Sequence, residues 1–294
     1  MAHAIEIRNI PFDFSSKIAP NWHPQKPEWG HIVNGGSLAM PHLEPFLNRT
    51  MREALLLIED AQLREDVDGF IRQEAQHYTN HRRYNEMLKA NGYEELAAVE
   101  DTFASDYKEL DKRPLARRLA YAAGFETMTM GMTEWFIEDR NDLFCGSDPT
   151  VTSLVLWHMV EEAEHKTVAF DVFQALSGSY WLRLVGLLHG TFHVGFLARR
   201  GYRAMLKKDG LWYKPTSRLK VWHMVSRFLW RASGAILSSL RPGYHPSERP
   251  DPDWADQWRA AYQKKSDEQI PLLNTDTADI RPDFSSVNQR HATH

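Results

Sequence analysis

Cysteine is nearly absent from this sequence of 294 residues, in which Cys145 is the only one. This excludes an intramolecular disulfide and any metal site built from several cysteines, and it favours a reducing compartment. A basic excess is also missing, because 35 Lys and Arg stand against 39 Asp and Glu, a formal net charge of -4. Nucleic-acid-binding proteins usually carry a basic patch or excess. We therefore expect no nucleic acid among the partners of this chain.

Long hydrophobic runs are missing as well. No stretch of 18 or more uncharged apolar residues occurs, so a transmembrane segment is not expected. The first residues lack the basic region and apolar run of a signal peptide, which together with the single cysteine predicts a cytoplasmic protein. No segment of any weight alternates apolar and polar residues with the period of a strand. The sequence therefore predicts an all-α fold.

Apolar residues recur with a helical period over most of the chain. The predicted helices cover 41–91, with an interruption near Glu65 and Asp66, then 93–109, 114–140, 150–176, 180–207, 216–240 and 251–264. Residues 1–40 contain four prolines and a Gly-Gly pair, and we expect an irregular arm there. Residues 41–242 would form a helical domain, with a core bundle over 41–176 and extra helices over 180–240. Residues 243–294 are predicted to be a tail, with disorder over about the last 25 residues.

One short pattern occurs twice in the predicted helices. Residues 74–77 read Glu-Ala-Gln-His, and residues 162–165 read Glu-Ala-Glu-His. A Glu and a His three residues apart share one face of a helix. Glu44 precedes the first pattern by 30 residues and Glu126 precedes the second by 36, spacings that suit two antiparallel helix pairs. Four carboxylates and two imidazoles would then meet in a bundle core, as in carboxylate-bridged di-iron and di-manganese proteins.

The apolar periodicity places all of these residues on inward faces. Each lies on the apolar stripe of its own predicted helix. A single Glu-x-x-His pair is usually a solvated surface, but two copies, each following a Glu on an apolar stripe, are much harder to obtain by chance. Four carboxylates buried together would be strongly destabilising without positive charge between them. The sequence therefore predicts two bound metal ions, with the ligands Glu44, Glu74, His77, Glu126, Glu162 and His165.

Other polar residues extend the same faces. His81 and His158 each lie one turn from a motif. Each could be an extra ligand, a hydrogen-bond partner that supports a ligand, or a core histidine, and the hydrogen-bond partner is the favoured role. His189 and His193, four residues apart in the helix predicted over 180–207, could supply a further ligand, although a polar lining is the simpler interpretation. Asp171 could hold a ligand imidazole from another helix.

These motifs resemble those of the bacterial family of predicted metal-dependent hydrolases, which is related to the ferritin-like superfamily. The resemblance covers about residues 8–260, with matching segments at 11–14, Trp22, 34–37, 41–46, 72–77, 125–127, 157–166, 168–172 and 244–246. Leu43 departs from the family pattern, which has a glycine directly before the glutamate. The resemblance implies metal binding and a ferritin-like four-helix bundle, here with additional C-terminal helices. Because the family name is itself a prediction, it adds little about the reaction.

The predicted donor set bears on the reaction. Carboxylate-rich sites with one His per metal suit iron or manganese better than structural zinc, so two metal ions are expected, iron first and manganese or zinc as alternatives. The leading hypothesis is an oxygen-dependent di-iron oxidoreductase. The alternative is a metal-dependent hydrolase that uses a metal-bound hydroxide. A non-catalytic, ferritin-like metal-binding protein and a purely structural helical protein are the remaining options.

The helices predicted over 180–207 and 216–240 are rich in aromatic residues. They suggest a small apolar or amphipathic substrate, although ordinary core packing explains them equally well. The aromatic residues are Trp181, Phe192, Phe196, Trp212, Trp222, Phe228 and Trp230. Basic residues are interspersed among them, so peripheral membrane contact is a further possibility. A homodimer is also possible.

Overall fold

The computed structural model describes residues 5–14, 18–266 and 268–284, and within them it contains helices and no strand. The predicted all-α fold is confirmed. The helices are α1 (Pro27–Ser37), α2 (Met40–Leu55), α3 (Ala61–Ala90), α4 (Leu96–Asp111), α5 (Leu115–Glu138), α6 (Arg140–Phe144), α7 (Pro149–His165), α8 (Val168–Leu176), α9 (Tyr180–Lys208), α10 (Pro215–Ser239) and α11 (Asp253–Lys264). Short 3-10 turns occur at Leu211–Tyr213 and Pro246–Glu248.

Helix boundaries follow local capping more closely than the apolar period. Asp60 caps α3 by accepting a hydrogen bond from the backbone N–H of Leu63, and Asp148 caps α7 in the same way. The chain therefore breaks at residues 56–60, and the interruption predicted near Glu65 and Asp66 is wrong because α3 is continuous there. The helix predicted over 150–176 is divided into α7 and α8.

Two segments near the ends of the described chain, 18–40 and 270–284, are more ordered than the sequence suggested. The arm expected to be irregular contains α1, whose Trp29 is buried in the core. The expected disorder is also wrong for residues 270–284, where Leu273 and Ile280 are fully buried. Burial of these apolar side chains holds both segments against the rest of the chain. The rest of the predicted disordered tail, 285–294, lies outside the described residues.

Helices α2, α3, α5 and α7 carry the predicted metal ligands, and α7 and α5 are buried along most of their length. Helix α9 packs against α5 and α1, and α10 packs against α5 on the same side. A ferritin-like connection of the four ligand-bearing helices stays a prediction. None of the described helices is long and apolar enough to cross a bilayer.

Helices α5 and α9 touch at backbone distance. A Cβ atom added at Gly186 of α9 would lie 1.9 Å from the carbonyl oxygen of Ala120, and one added at Gly124 of α5 would lie 2.3 Å from the backbone of Gly186. Real Cβ contacts are never so short, so only glycine fits at these positions. The sequence analysis gave no role to this pair.

We expect Gly186→Ala to lower the free energy of unfolding by at least about 1–3 kcal/mol, because the new methyl group forces the two helices apart. Chemical denaturation measures this. Gly195→Ala on the same helix is the matched control, since a Cβ there meets no atom within 4 Å. The control should be neutral or stabilising by up to about 1 kcal/mol. Equal stabilities for the two variants would contradict the close crossing.

Candidate metal centre

The six predicted ligands meet in the interior. Each is at most 4% exposed. The Nε2 atom of His165 lies 3.3 Å from Glu162 Oε2, 3.4 Å from Glu74 Oε1 and 3.7 Å from Glu126 Oε2. Carboxylates of α3, α5 and α7 thus surround one imidazole nitrogen. Their spacing is that of atoms sharing an ion, since two donors about 2.1 Å from a metal at right angles lie about 3 Å apart.

The donor atoms separate into two groups. Glu74, Glu162 and His165 form one, and within each group the potential ligand atoms lie within 4.8 Å of one another. Glu44 and His77 belong to the other, together with His158. His158 was expected to stand behind a ligand. The structure instead brings its Nε2 atom into the cluster, 2.8 Å from Glu162 Oε1 and 3.7 Å from Glu44 Oε1.

Buried polar atoms without a hydrogen-bond partner are concentrated in this cluster. Among the described residues, such atoms include both carboxylate oxygens of Glu44 and Glu74, Glu126 Oε1, Glu162 Oε2, His77 Nδ1 and His165 Nε2. Native proteins pair nearly all buried polar atoms, because each unpaired one costs about 1–3 kcal/mol. These eight face one another. Metal ions between them would satisfy all eight, so the donor set fits a two-metal centre.

The outer nitrogen of His77 is held by Glu161, whose Oε2 lies 2.9 Å from His77 Nε2. The outer nitrogen of His165 is held by Gln73, whose Oε1 lies 3.2 Å from His165 Nδ1. A carboxylate or amide oxygen only accepts, so the proton is assigned to the outer nitrogen in both rings. The inner nitrogens, His77 Nδ1 and His165 Nε2, therefore direct lone pairs towards the carboxylates, as metal-binding histidines do.

This arrangement is reciprocal between the two motifs. Gln73 directly precedes Glu74 and holds the histidine of the second motif, while Glu161 directly precedes Glu162 and holds the histidine of the first. The sequence analysis missed both residues. Extending the repeat by one position, to Gln-Glu-x-x-His and Glu-Glu-x-x-His, would have found them.

A chain of hydrogen bonds determines which ring nitrogen of His158 carries the proton. The hydroxyl of Ser37 donates to Asn85 Oδ1 at 2.7 Å, so it accepts from His81 Nδ1 at 2.8 Å. His81 Nε2 is then left to accept from His158 Nδ1, also at 2.8 Å. His158 Nε2 consequently carries a lone pair directed at the carboxylates. His81 is placed as a hydrogen-bond partner behind His158, and His158 has the geometry of a ligand; both roles stay predictions.

The charges of the cluster follow from its burial. Burial raises the pKa of Glu44 well above its ordinary value, and repulsion from Glu162 and Glu126 adds to it. Burial also raises the pKa of Glu74 and Glu126, again with neighbouring carboxylates. For Glu162 burial acts in the same direction, but in the metal-free chain the positive charge of His165 and His158, when these rings are protonated, outweighs it and holds that pKa well below its usual range. Three of the four carboxyls therefore resist ionisation unless cations are present.

Comparison with known proteins agrees with this geometry. A family model described as "predicted metal-dependent hydrolase" matches residues 6–249. The chain belongs to this family. The description is that of a metal-dependent enzyme, and the two buried groups of Glu and His supply donors for metal. Neither the curated proteins nor the solved structures gave a match to this hydrolase-family chain.

Arg8 is a supporting residue that sequence reasoning missed in this member of the hydrolase family. It is 1% exposed and binds Glu161 at 3.1 Å and Glu164 at 2.7 Å. Its guanidinium also lies 5.7 Å from the ring centroid of Trp258 and 5.4 Å from that of Tyr262, both on α11. The positive charge of Arg8 thus offsets the negative charge of Glu161, the carboxylate that holds His77. Its partners are more than 150 positions away in the chain, so no local pattern could reveal them.

The remaining candidates lie elsewhere in this hydrolase-family chain. His193 exchanges a hydrogen bond of 2.9 Å with the hydroxyl of Tyr121, and His189 packs against the same ring. Both lie outside the two metal-binding groups, so their placement does not support a ligand from α9. Asp171 does hold an imidazole, as expected, but the imidazole is that of His245 at 2.7 Å.

A cavity of about 590 Å³ adjoins His158, which belongs to the group of donors with Glu44 and His77. Its inner end is formed by His81 and His158, and its outer end by aromatic residues of α9 and α10, among them Phe192, Phe196 and Trp222. The other lining residues are largely apolar, with several methionines and aromatic rings from α5 and α7. The aromatic helices of the sequence analysis thus form one wall of a cavity that ends at the candidate centre.

Proposed function

We propose that this protein hydrolyses a small molecule with a long apolar chain, using two metal ions held by the buried Glu and His cluster. The observation that carries the proposal is the apolar cavity that ends on His158. A pocket of this size with few polar groups at one end is typical of sites that bind a hydrophobic chain and orient its polar end. Family membership supports hydrolysis.

In this proposal Glu44, His77 and His158 bind one metal ion, and Glu74, Glu126 and His165 bind the other. Glu162 would bridge them, because its Oε1 faces His158 at 2.8 Å while its Oε2 faces His165 at 3.3 Å. Four carboxylates would balance the charge of two divalent cations. Seven oxygen and nitrogen donors suit iron, manganese or zinc, and iron stays the first expectation for the native metal.

Bound metal ions would supply a Lewis acid and an activated water. The chain itself does the remaining work. The cavity wall binds the apolar chain and excludes bulk water, which strengthens every electrostatic interaction at its inner end. Ser37 and His81 hold the ring of His158 in a fixed orientation, so the polar end of the substrate would reach a rigid surface.

The family description favours hydrolysis over oxygen-dependent oxidation, which is the leading hypothesis from the sequence alone. The two reactions are separated by testing 4-nitrophenyl esters of increasing chain length with iron-, manganese- and zinc-loaded protein, with and without oxygen. We expect nitrophenol release without oxygen, and higher kcat/KM for chains of about ten carbons than for acetate, because each buried methylene adds about 0.8 kcal/mol. Oxygen consumption with no ester cleavage would overturn the proposal.

The cavity can be shortened without disturbing the fold. Gly36 lines it, and a Cβ built there meets no atom within 4 Å, so a larger side chain would extend into the cavity. We expect Gly36→Phe to lower kcat/KM for the long-chain ester at least about tenfold and to leave kcat/KM for the acetate ester nearly unchanged. A tenfold loss requires only that about two methylenes of the chain are no longer buried. Metal content should not change.

Gly243→Phe is the matched control, because a Cβ at this exposed glycine also meets no atom within 4 Å and the residue does not line the cavity. It should leave the chain-length profile as it is. If Gly36→Phe lowered hydrolysis of both esters equally, the cavity would not be the binding site for the chain.

A further inference from the structure

Large apolar side chains are exposed along one helical hairpin. Trp181 of α9 is 74% exposed and Trp230 of α10 is 79% exposed. Val185, Leu188, Phe192 and Phe196 on α9, and Leu219, Trp222, Leu229 and Leu237 on α10, are also exposed. Within the described part of the chain, Leu56 and Leu57 are the only exposed large hydrophobic residues outside residues 181–240. A surface of this kind usually marks an interaction site.

The exposed residues form one face because of their spacing. On α9 they recur every three or four positions, which keeps them on one side of the helix. Helix α10 returns alongside α9: the hydroxyl of Tyr180 donates to the carbonyl of Leu240 at 2.8 Å, and Arg183 donates to that of Ser239 at 2.6 Å. The start of α9 therefore meets the end of α10, both helices pack against α5, and exposed residues of both line the same cavity. We call this surface the hairpin face.

Basic residues without an acidic partner gather near the turn between α9 and α10. Six basic residues of the hairpin pair with acidic residues of other segments: Arg200, Lys208, Lys220, Arg227, Arg231 and Arg241. Within the described residues Arg199, Arg203, Lys207, Lys214 and Arg218 form no ion pair.

Residues 180–241 contain twelve Lys and Arg and a single acidic residue, Asp209, although the whole chain carries a net charge of -4. Neither α9 nor α10 contains an Asp or Glu. Apolar and aromatic residues on one face with basic residues around them characterise helices that lie in the interface of a bilayer, where tryptophan is favoured. Basic residues there are attracted to anionic lipid.

A second copy of the chain is a poorer occupant of the hairpin face. In a two-fold dimer the same surface of both copies would meet, so the basic residues without an acidic partner, among them Arg199, Arg203 and Lys207, would face their own copies. An anionic bilayer offers the opposite charge and an apolar interior in one surface. We propose that the hairpin face docks on the surface of an anionic lipid bilayer.

The outer end of the cavity lies in this face. Phe192, Phe196 and Trp222 are exposed on the hairpin face and also line the cavity. A docked molecule would therefore open its cavity towards the bilayer rather than towards water. The docking proposal itself does not depend on hydrolysis or on bound metal, and its test measures binding alone.

Sedimentation with sucrose-loaded vesicles tests the proposal on the full chain. We expect binding to vesicles of phosphatidylcholine with 30% phosphatidylglycerol, and at least tenfold weaker binding to phosphatidylcholine alone or in high salt. Trp181→Ser combined with Trp230→Ser should weaken binding to the anionic vesicles at least tenfold, because both rings lose their place in the interface.

Leu56→Ser combined with Leu57→Ser is the matched control, because these leucines are 83% and 58% exposed but lie outside the hairpin face. It should bind like the unchanged protein. Arg199→Glu combined with Lys214→Glu should also lose anionic-vesicle binding, with the circular dichroism spectrum unchanged. No binding of the unchanged protein to the anionic vesicles would overturn the proposal. So would a stable dimer by light scattering that the Trp181 and Trp230 variant abolishes.

Discussion

Glu162→Gln is expected to remove both metal ions from the centre. Glu162 has one oxygen near each group of donors, Oε1 at 2.8 Å from His158 and Oε2 at 3.3 Å from His165. An amide at this position keeps the size of the side chain but takes away its charge and one acceptor oxygen. Loss of even an outer partner of a metal ligand costs about 10–100-fold in affinity, and loss of a shared ligand should exceed that. We expect metal content to fall from two ions per chain to below about one-tenth.

Elemental analysis after exhaustive dialysis measures this, with Glu138→Gln as the control. Glu138 belongs to α5, is exposed and pairs with Arg231 at 3.3 Å, so the control should retain both ions. Hydrolysis of the long-chain ester should fall together with metal content. Full metal content in Glu162→Gln would mean that Glu162 serves only as a hydrogen-bond acceptor for His158.

Removing the metal ions should make the folded chain unusually sensitive to base. Burial raises the pKa of Glu44, Glu74 and Glu126, so the folded chain binds more protons than the unfolded chain once the pH exceeds about 4.5. Stability then falls as pH rises. Burial lowers the pKa of His77 and His81, which makes stability rise with pH instead. This rise is complete above about pH 7, because histidine in the unfolded chain titrates near 6.5.

Between pH 7 and pH 8.5 only the carboxyl effect remains. Each carboxyl still protonated in the folded chain should lower the free energy of unfolding by about 1.4 kcal/mol per pH unit. Urea denaturation of chelator-treated protein across this range measures the slope. The metal-loaded protein should show no such fall, because its carboxylates are already ionised. A flat profile without metal would mean that water reaches and solvates the carboxylates.

The inward positions of the six predicted ligands could be predicted because the evidence for them is local. Helical spacing alone places Glu74 with His77, and Glu162 with His165, on buried faces. The break before α3 depends on a single capping residue, Asp60, which competes with a helical pattern on both sides. Nothing in the residue types between α7 and α8 marks the end of α7, because neither Gly nor Pro occurs there.

Other features depend on contacts between distant parts of the chain. Arg8 is buried because two glutamates of α7 lie beside it, and His158 directs a lone pair at the carboxylates because Ser37 and His81 determine which of its nitrogens carries the proton. Periodicity identifies a polar residue on an inward face but does not say which nitrogen carries hydrogen. The exposure of the aromatic residues on α9 and α10 had the same origin. These residues are exposed because the opposite faces of the two helices pack against α5 and α1.

The glycine contact between α5 and α9 limits how the molecule can move. Gly124 and Gly186 allow the two backbones to touch, and α5 also carries Glu126 of the candidate centre. An outward swing of α9 as a hinged lid would break this backbone contact, which lies two residues from that carboxylate along α5. We expect traffic through the cavity to depend on rotamer changes of Phe192 and Phe196, on picosecond to nanosecond timescales, rather than on slower helix displacement.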